Sequence, residues 1–187
     1  MARSIVVLVA LAAASCNRSS PEAVRADAGR LSSAFDRHRG DYLRTVQKEN
    51  ELVSETLKWL NTGLEWESRG AAAMQAVRSG EKYSRTHLAY KIIHDDLLSL
   101  EVDSPRIREA HRAILAHLHK RSLALQHVAA LHYGAARNGF STTPIGRIPR
   151  ELIELKSIAN THRRIEDEVA LILEAIEPAR VRSRPTP

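Results

Sequence analysis

The sequence predicts an all-α protein, an elongated antiparallel up-down four-helix bundle. Apolar residues recur at steps of three, four or seven along four long stretches, which is the period of an α-helix. No stretch alternates apolar and polar side chains as a half-buried strand does, and the connections between the stretches are short. Aromatic residues make up 4% of the chain and one cysteine is present, so the core should be mainly Leu, Ile, Val and Ala, without disulfides.

Capping residues mark the first two helices. Ser20 followed by Pro21 is typical of a helix N-terminus, because the hydroxyl can cap a free backbone N–H and Pro fits the first helical position. The apolar pattern then continues until Gly63, a suitable C-terminal cap. A second pattern occupies residues 64 to 102, where we expect the second helix.

The third and fourth helices each open at a proline. The third should begin at Pro105 and end at Gly139, and the fourth should begin at Pro149 and stop before Pro178. The longer connection between them, residues 140 to 148, contains three large apolar side chains. We expect it to fold over one end of the bundle.

The N-terminus has the layout of a secretory signal. Arg3 precedes an apolar run that is too short to span a bilayer, which needs about 20 residues. The run ends in small residues followed by the single cysteine, Cys16. This Ala-Ala-Ser-Cys ending resembles the lipobox of bacterial lipoprotein precursors. The resemblance implies that Cys16 is acylated, with chains such as palmitate, and becomes the first mature residue.

The resemblance divides the chain into a processed leader and an anchored domain. The expected parts are a signal peptide (1–15), the lipidated Cys16 with a short tether (16–20), a helical bundle domain (21–177) and a disordered basic tail (178–187). Asn17 follows the cysteine, and in enteric lipoproteins the absence of Asp there implies the periplasmic face of the outer membrane. The alternative is ordinary cleavage after Ala14, which would leave Cys16 as a free thiol.

Charge is distributed unevenly along the chain. The formal net charge is +6, and residues 104–147 carry seven Lys or Arg against one acid. This balance favours an anionic partner such as a phospholipid surface, lipopolysaccharide or an acidic polymer, and an exported protein is not expected to bind nucleic acid. The alternative is that the charge only maintains solubility. The candidate anion-facing surface consists of Arg106, Arg108, Arg112, Lys120 and Arg121.

Nine histidines suggest a metal-binding or pH-sensing alternative. The chain contains no Glu-x-x-His, the motif of helical di-metal sites. If the second and third helices form a hairpin with its tip at Asp103, equal distances from the tip would place histidines in two layers. One layer would pair His94 with His111, and the other would pair His87 with His119. The alternative is that these are half-buried packing residues.

Three motifs typical of enzymes and cofactor-binding proteins are absent from the sequence. A nucleophile elbow, a phosphate-binding glycine loop and a haem-attachment motif are all missing, so we expect neither an enzyme nor a cofactor. The predicted function is a membrane-anchored envelope lipoprotein that acts as a non-enzymatic interaction or scaffold module. Its partner would be an envelope protein or an anionic envelope polymer. The alternatives are a helical periplasmic chaperone or stress sensor, and a histidine-based metal-binding bundle.

Overall fold

The computed structural model describes residues 20–61, 68–144 and 146–154. Every regular element in these ranges is helical, which confirms the all-α class for this part of the chain. The predicted signal peptide, Cys16, most of the fourth helix and the basic tail lie outside the described residues. None of the described helices combines the length and the apolar character needed to cross a membrane.

Three long helices form the body of the described structure. They are α1 (Pro21–Asn61), α2 (Arg69–Leu98) and α3 (Pro105–Gly134). At its end α3 widens into a π-helical turn, Ala135–Gly139, and continues as the short helix α4, Phe140–Thr142. Residues 150–154 are again helical, where the fourth long helix was predicted to open.

The N-termini of α1 and α2 are both capped by serine. The Ser20 hydroxyl accepts a hydrogen bond from the Ala23 N–H at 3.2 Å, as predicted for the start of α1. The Ser68 hydroxyl caps the Ala71 N–H at 3.1 Å, so α2 begins at Arg69 rather than near residue 64. Helix α2 also ends earlier than predicted, at Leu98.

Helices α1 and α2 run antiparallel. Lys82, in the first half of α2, forms an ion pair with Glu55 near the end of α1 at 2.9 Å. Asp96, near the end of α2, contacts His38 in the first half of α1 at 2.7 Å. The two contacts together fix both the direction and the axial offset of this pair.

Helices α2 and α3 form an offset antiparallel hairpin. His87 contacts Ser122, with 2.8 Å between Nδ1 and Oγ, and His111 Nε2 lies 2.8 Å from the carbonyl oxygen of Leu97. The non-helical residues 99–104 therefore carry the chain past the end of α2. Helix α3 begins more than one turn beyond that end.

A buried carboxylate joins the start of α1 to the start of α3. Asp27 is 1% exposed, and its Oδ2 accepts a hydrogen bond from the Ser104 N–H at 2.5 Å. Burial raises the pKa of Asp27, but the Ser104 N–H and the Arg30 guanidinium outweigh it, so the pKa is lowered overall. The first turns of α1 are thereby attached to the α2–α3 connection.

The core lies between the three long helices. Its fully buried aliphatic side chains recur one or two turns apart: Leu31, Ile93, Leu97, Ile114, Leu118 and Leu125. Tyr83 and Tyr90 are also buried, at 1% and 0% exposed, so the few aromatic rings contribute to the core as well.

Gly139 does not end the third helix, although the sequence predicted that it would. Its backbone is right-handed helical (φ −62°, ψ −44°), and the helix continues through it to Thr142. A β-carbon at this position would lie 2.8 Å from the β-carbon of Pro149. Glycine therefore serves a close approach between the end of α3 and the returning chain. Gly146, with φ +88°, takes the left-handed conformation in the turn that follows.

The connection after α4 contributes to the core. Phe140 is 5% exposed and lies 6.5 Å from the ring of Trp59, and Ile148 packs partly buried against the core. These two positions agree with a connection that folds over one end of the bundle. Ile145 lies outside the described residues.

Candidate functional site

The predicted anion-facing surface on α3 is only partly present. Arg106, Arg112 and Lys120 are exposed, and within the described ranges none of them has a carboxylate at ion-pair distance. Arg108 is exposed, but its guanidinium already donates hydrogen bonds within the protein. The acceptors are the backbone carbonyls of Val102 and Asp103, at 3.0 and 2.8 Å. Three cations of the predicted set thus remain available to a partner.

Arg121 was assigned to this surface wrongly, because it points into the core. It is 1% exposed, and it follows Ile114 and Leu118 at helical spacing, so it shares their buried face. Its Nη2 and Nε donate to Oε2 of Glu49 in α1 at 2.8 and 3.1 Å. The charge that was expected to face an anionic partner is instead neutralised inside the protein.

Glu49 is the centre of a buried polar cluster. Its Oε2 also accepts a hydrogen bond from the Tyr90 hydroxyl at 2.7 Å, and the Arg121 guanidinium lies 5.4 Å from the centroid of the Tyr90 ring. Burial raises the pKa of Tyr90, and the Glu49 charge adds to the rise. Burial lowers the pKa of Arg121, but the Glu49 charge outweighs it, so the guanidinium is firmly cationic. The cluster links three helices and is closed to solvent.

The four candidate histidines do not form the predicted layers. His94 lies against His119, with ring centroids 5.7 Å apart, rather than against His111. His87 contacts Ser122 rather than His119. The offset of α3 relative to α2 explains both differences, since equal residue counts from Asp103 do not give equal heights.

Two of these histidines also contact other groups. His94 Nδ1 lies 3.0 Å from Oδ1 of Asp95, and His111 Nε2 is within hydrogen-bond distance of the carbonyl oxygen of Leu97. Among the residues that the structure describes, no group of three or more His, Cys, Asp or Glu side chains is arranged to hold a metal ion.

Two other histidines, which sequence reasoning did not single out, are deeply buried. His132 is 0% exposed and stacks between Trp59 and Tyr83, with centroid distances of 5.9 and 5.3 Å. Burial lowers its pKa to about 4. His117 is 4% exposed, and burial, with a smaller effect from Arg121, lowers its pKa to about 4. Both lie on the apolar stripe of α3, which was the signal available in the sequence.

An open groove lies between α1 and α2. It encloses about 410 Å³ and is lined on the α1 side by Arg44 and Lys48, and on the α2 side by Arg85, Ala89 and Ile92. The sequence did not reveal it, because its residues come from two helices whose relative offset is not encoded in the helical period. The groove combines concavity, charge and accessible apolar surface.

Charge in the groove is only partly compensated. Asp41 pairs with Arg44 at 2.6 Å, and His38 pairs with Asp96. Lys48 and Arg85 have no carboxylate at ion-pair distance among the described residues. The hydrogen bond from His38 is the main cause of a lowered pKa at Asp96, so that carboxylate is ionised beside one end of the groove.

Comparisons with known proteins returned no match: no protein-family model, no curated protein and no solved structure resembles the chain closely enough to be assigned to it.

Proposed function

We propose that this protein is a lipid-anchored envelope protein that acts as a non-enzymatic interaction module for an anionic partner. The observation that carries the proposal is the set of exposed α3 cations, Arg106, Arg112 and Lys120, which have no carboxylate partner among the described residues. The basic composition and the run that ends at Cys16 support it. The partner is an envelope protein or an anionic envelope polymer.

The proposed architecture completes the bundle with a fourth helix. Residues 150–154 are helical, and Leu152 is fully buried against the core. The apolar period that begins there continues through Ile158 and Ile172 to Ile176 in the sequence. An up-down four-helix bundle would give this stripe the apolar partner that it needs.

The proposed anchor is tested by replacing Cys16 with serine. The parent chain should partition with membranes, and its intact mass should include acyl chains. Cys16→Ser should remove the added mass and release the protein from the membrane fraction. An unlipidated parent chain that begins at Ser15 would contradict the anchor.

The proposed anionic contact is tested by retention on an immobilised acidic polysaccharide. The triple change Arg106→Gln, Arg112→Gln and Lys120→Gln should lower the salt concentration needed for elution, because fewer counterions are displaced on binding. Arg147→Gln with Arg150→Gln is a control, since both side chains are exposed and lie on another part of the chain. Equal effects per charge in the two variants would indicate a diffuse charge effect and contradict a dedicated α3 surface.

A further inference from the structure

Two of the three cations that line the groove between α1 and α2 lie in one row along α1. Arg44 and Lys48 are four residues apart on α1 and so share a face of the helix. Arg85 faces them from α2, one turn before Ala89. The α1 wall extends from His38 to Lys48, a rise of about 15 Å. A ligand in the groove therefore meets positive charge from both walls over several ångströms.

The electrostatics of the groove favour an anion. Its described lining contains three permanent cations and one carboxylate, and that carboxylate, Asp41, already pairs with Arg44. Lys48 and Arg85 keep their charge without a carboxylate at ion-pair distance among the described residues. A concave wall of low dielectric constant strengthens the field of such charges relative to a flat surface.

Apolar side chains lie directly beside these cations. Ile92 lines the groove and is 66% exposed, and Leu88, one turn before it on the same face of α2, is 51% exposed. Arg85 precedes Leu88 by three residues, so cation and apolar surface share one stripe of the helix. Large exposed apolar side chains next to basic ones are typical of surfaces that bind lipids at a membrane interface.

We propose that this groove binds an anionic phospholipid. The phosphate lies against Lys48 and Arg85, and the acyl chains extend over Leu88 and Ile92. A free phosphate would use the cations but leave both apolar side chains in water. An acidic peptide would also satisfy the charge, but it does not offer an apolar chain next to every anionic group. The phospholipid complements both properties of the groove.

This proposal goes beyond the proposed function and does not depend on it. The groove lies on α1 and α2, whereas the proposed polymer or protein contact lies on α3. Binding at the groove also requires no modification at Cys16. The Cys16→Ser chain can therefore be used throughout, and failure at one surface leaves the other unaffected.

The first experiment titrates the Cys16→Ser chain with monomeric short-chain phosphatidylglycerol, followed by isothermal calorimetry. Lys48→Gln with Arg85→Gln should weaken binding about 25-fold, since each cation near an anionic lipid contributes about fivefold. Short-chain phosphatidylcholine should bind far more weakly to the parent chain. The control, Arg147→Gln with Arg150→Gln, removes the same charge elsewhere and should leave the affinity unchanged.

A second experiment separates a phospholipid from its possible substitutes. Ile92→Ser should weaken phosphatidylglycerol binding about tenfold, because apolar area no longer covers the acyl chain. The same change should not alter the binding of glycerol phosphate, the headgroup alone. Ile92 is exposed, so the variant should fold, and its circular dichroism should match that of the parent.

Three results would overturn the proposal. Equal weakening by the control pair would make the effect one of net charge. Glycerol phosphate that binds as tightly as the lipid would reduce the groove to an anion site. Poly-glutamate that displaces the lipid and shows the same dependence on Lys48 and Arg85, with no effect of Ile92→Ser, would assign the groove to acidic peptides.

Discussion

The buried pair of Glu49 and Arg121 joins α1 to α3 through the middle of the bundle. A buried ion pair is not a simple source of stability, because both charges lose their hydration and the attraction between them only offsets that cost. Here Tyr90 supplies a further hydrogen bond to the carboxylate. The side chains therefore depend on one another, and removing one leaves the other charged inside the core.

We predict that Glu49→Gln lowers the free energy of unfolding by about 3–5 kcal/mol, since the Arg121 charge would remain buried without its counterion. Urea unfolding followed by circular dichroism measures the effect. The matched control is Glu55→Gln, which breaks the exposed pair with Lys82 and should cost less than about 1 kcal/mol. A similar loss of unfolding free energy in the two variants would contradict the prediction, because the buried pair would then contribute no more than the exposed one.

Two buried histidines make stability sensitive to acid. The pKa values of His117 and His132 are lowered to about 4 in the folded protein, against 6.5 for an ordinary histidine. Below pH 6.5 the unfolded chain therefore binds more protons than the folded chain. The stability conferred by their neutral state is complete above pH 6.5 and is lost as the pH falls towards 4.

We predict that the free energy of unfolding falls by about 3 kcal/mol for each of these histidines as the pH is lowered from 7 to 4, because the unfolded chain takes up the proton more readily. His132→Phe, which keeps a ring between Trp59 and Tyr83, should make the pH dependence shallower by that amount. The control is His127→Gln, since His127 is 53% exposed. Urea unfolding across the pH range is the measurement, and an unchanged slope in His132→Phe would contradict the prediction.

At the level of single elements, helix bounds were predictable where a local signal sets them. Ser20 and Pro21 start α1 because capping and a fixed backbone angle act within one turn. The end of α3 was predicted wrongly, because glycine has two uses that look alike in sequence. Gly139 is needed because Pro149 packs closely against it, and not because its backbone is left-handed. Only the position of the returning chain distinguishes these two uses of glycine.

We predict that Gly139→Ala lowers the unfolding free energy by about 1–3 kcal/mol, since its β-carbon would meet Pro149 at 2.8 Å and the chain would have to move. Gly29→Ala is the control, because a β-carbon there has nothing within 4 Å. In the interior of α1 that change should raise stability by about 0.5–1 kcal/mol. Thermal unfolding distinguishes the two, and a stabilised Gly139→Ala would contradict the close approach.

At the level of the whole molecule, the sequence was least informative about how helices are offset along their axes. The helical period places Arg121 on the same face as Leu118, so its burial could have been inferred. The period does not say which residue of α2 lies beside His119, because that depends on the non-helical residues 99–104. The groove, which needs Lys48 and Arg85 on facing helices, was beyond prediction for the same reason.

The length of α1 bears on how the protein would sit on a bilayer. Lys48 lies 27 residues after Pro21, about 40 Å along the helix. If Cys16 anchors the chain and the groove also takes up a bilayer phospholipid, the start of α1 and the groove at Lys48 must both reach the same leaflet. The helix axes would then lie parallel to the bilayer, with the groove-bearing face of α1 and α2 against the headgroups, instead of perpendicular to it.

We predict a protein layer about 20 Å thick on supported anionic bilayers, the depth of two packed helices, rather than the height of α1, about 60 Å. Neutron reflectometry distinguishes the two, and Lys48→Gln with Arg85→Gln should thicken the layer by releasing the far end. A thin layer that the variant does not alter would mean that another face holds the bundle down. A flat posture would hold the exposed α3 cations at a fixed height above the lipid, and that height would set the distance between the bilayer and any anionic partner bound there.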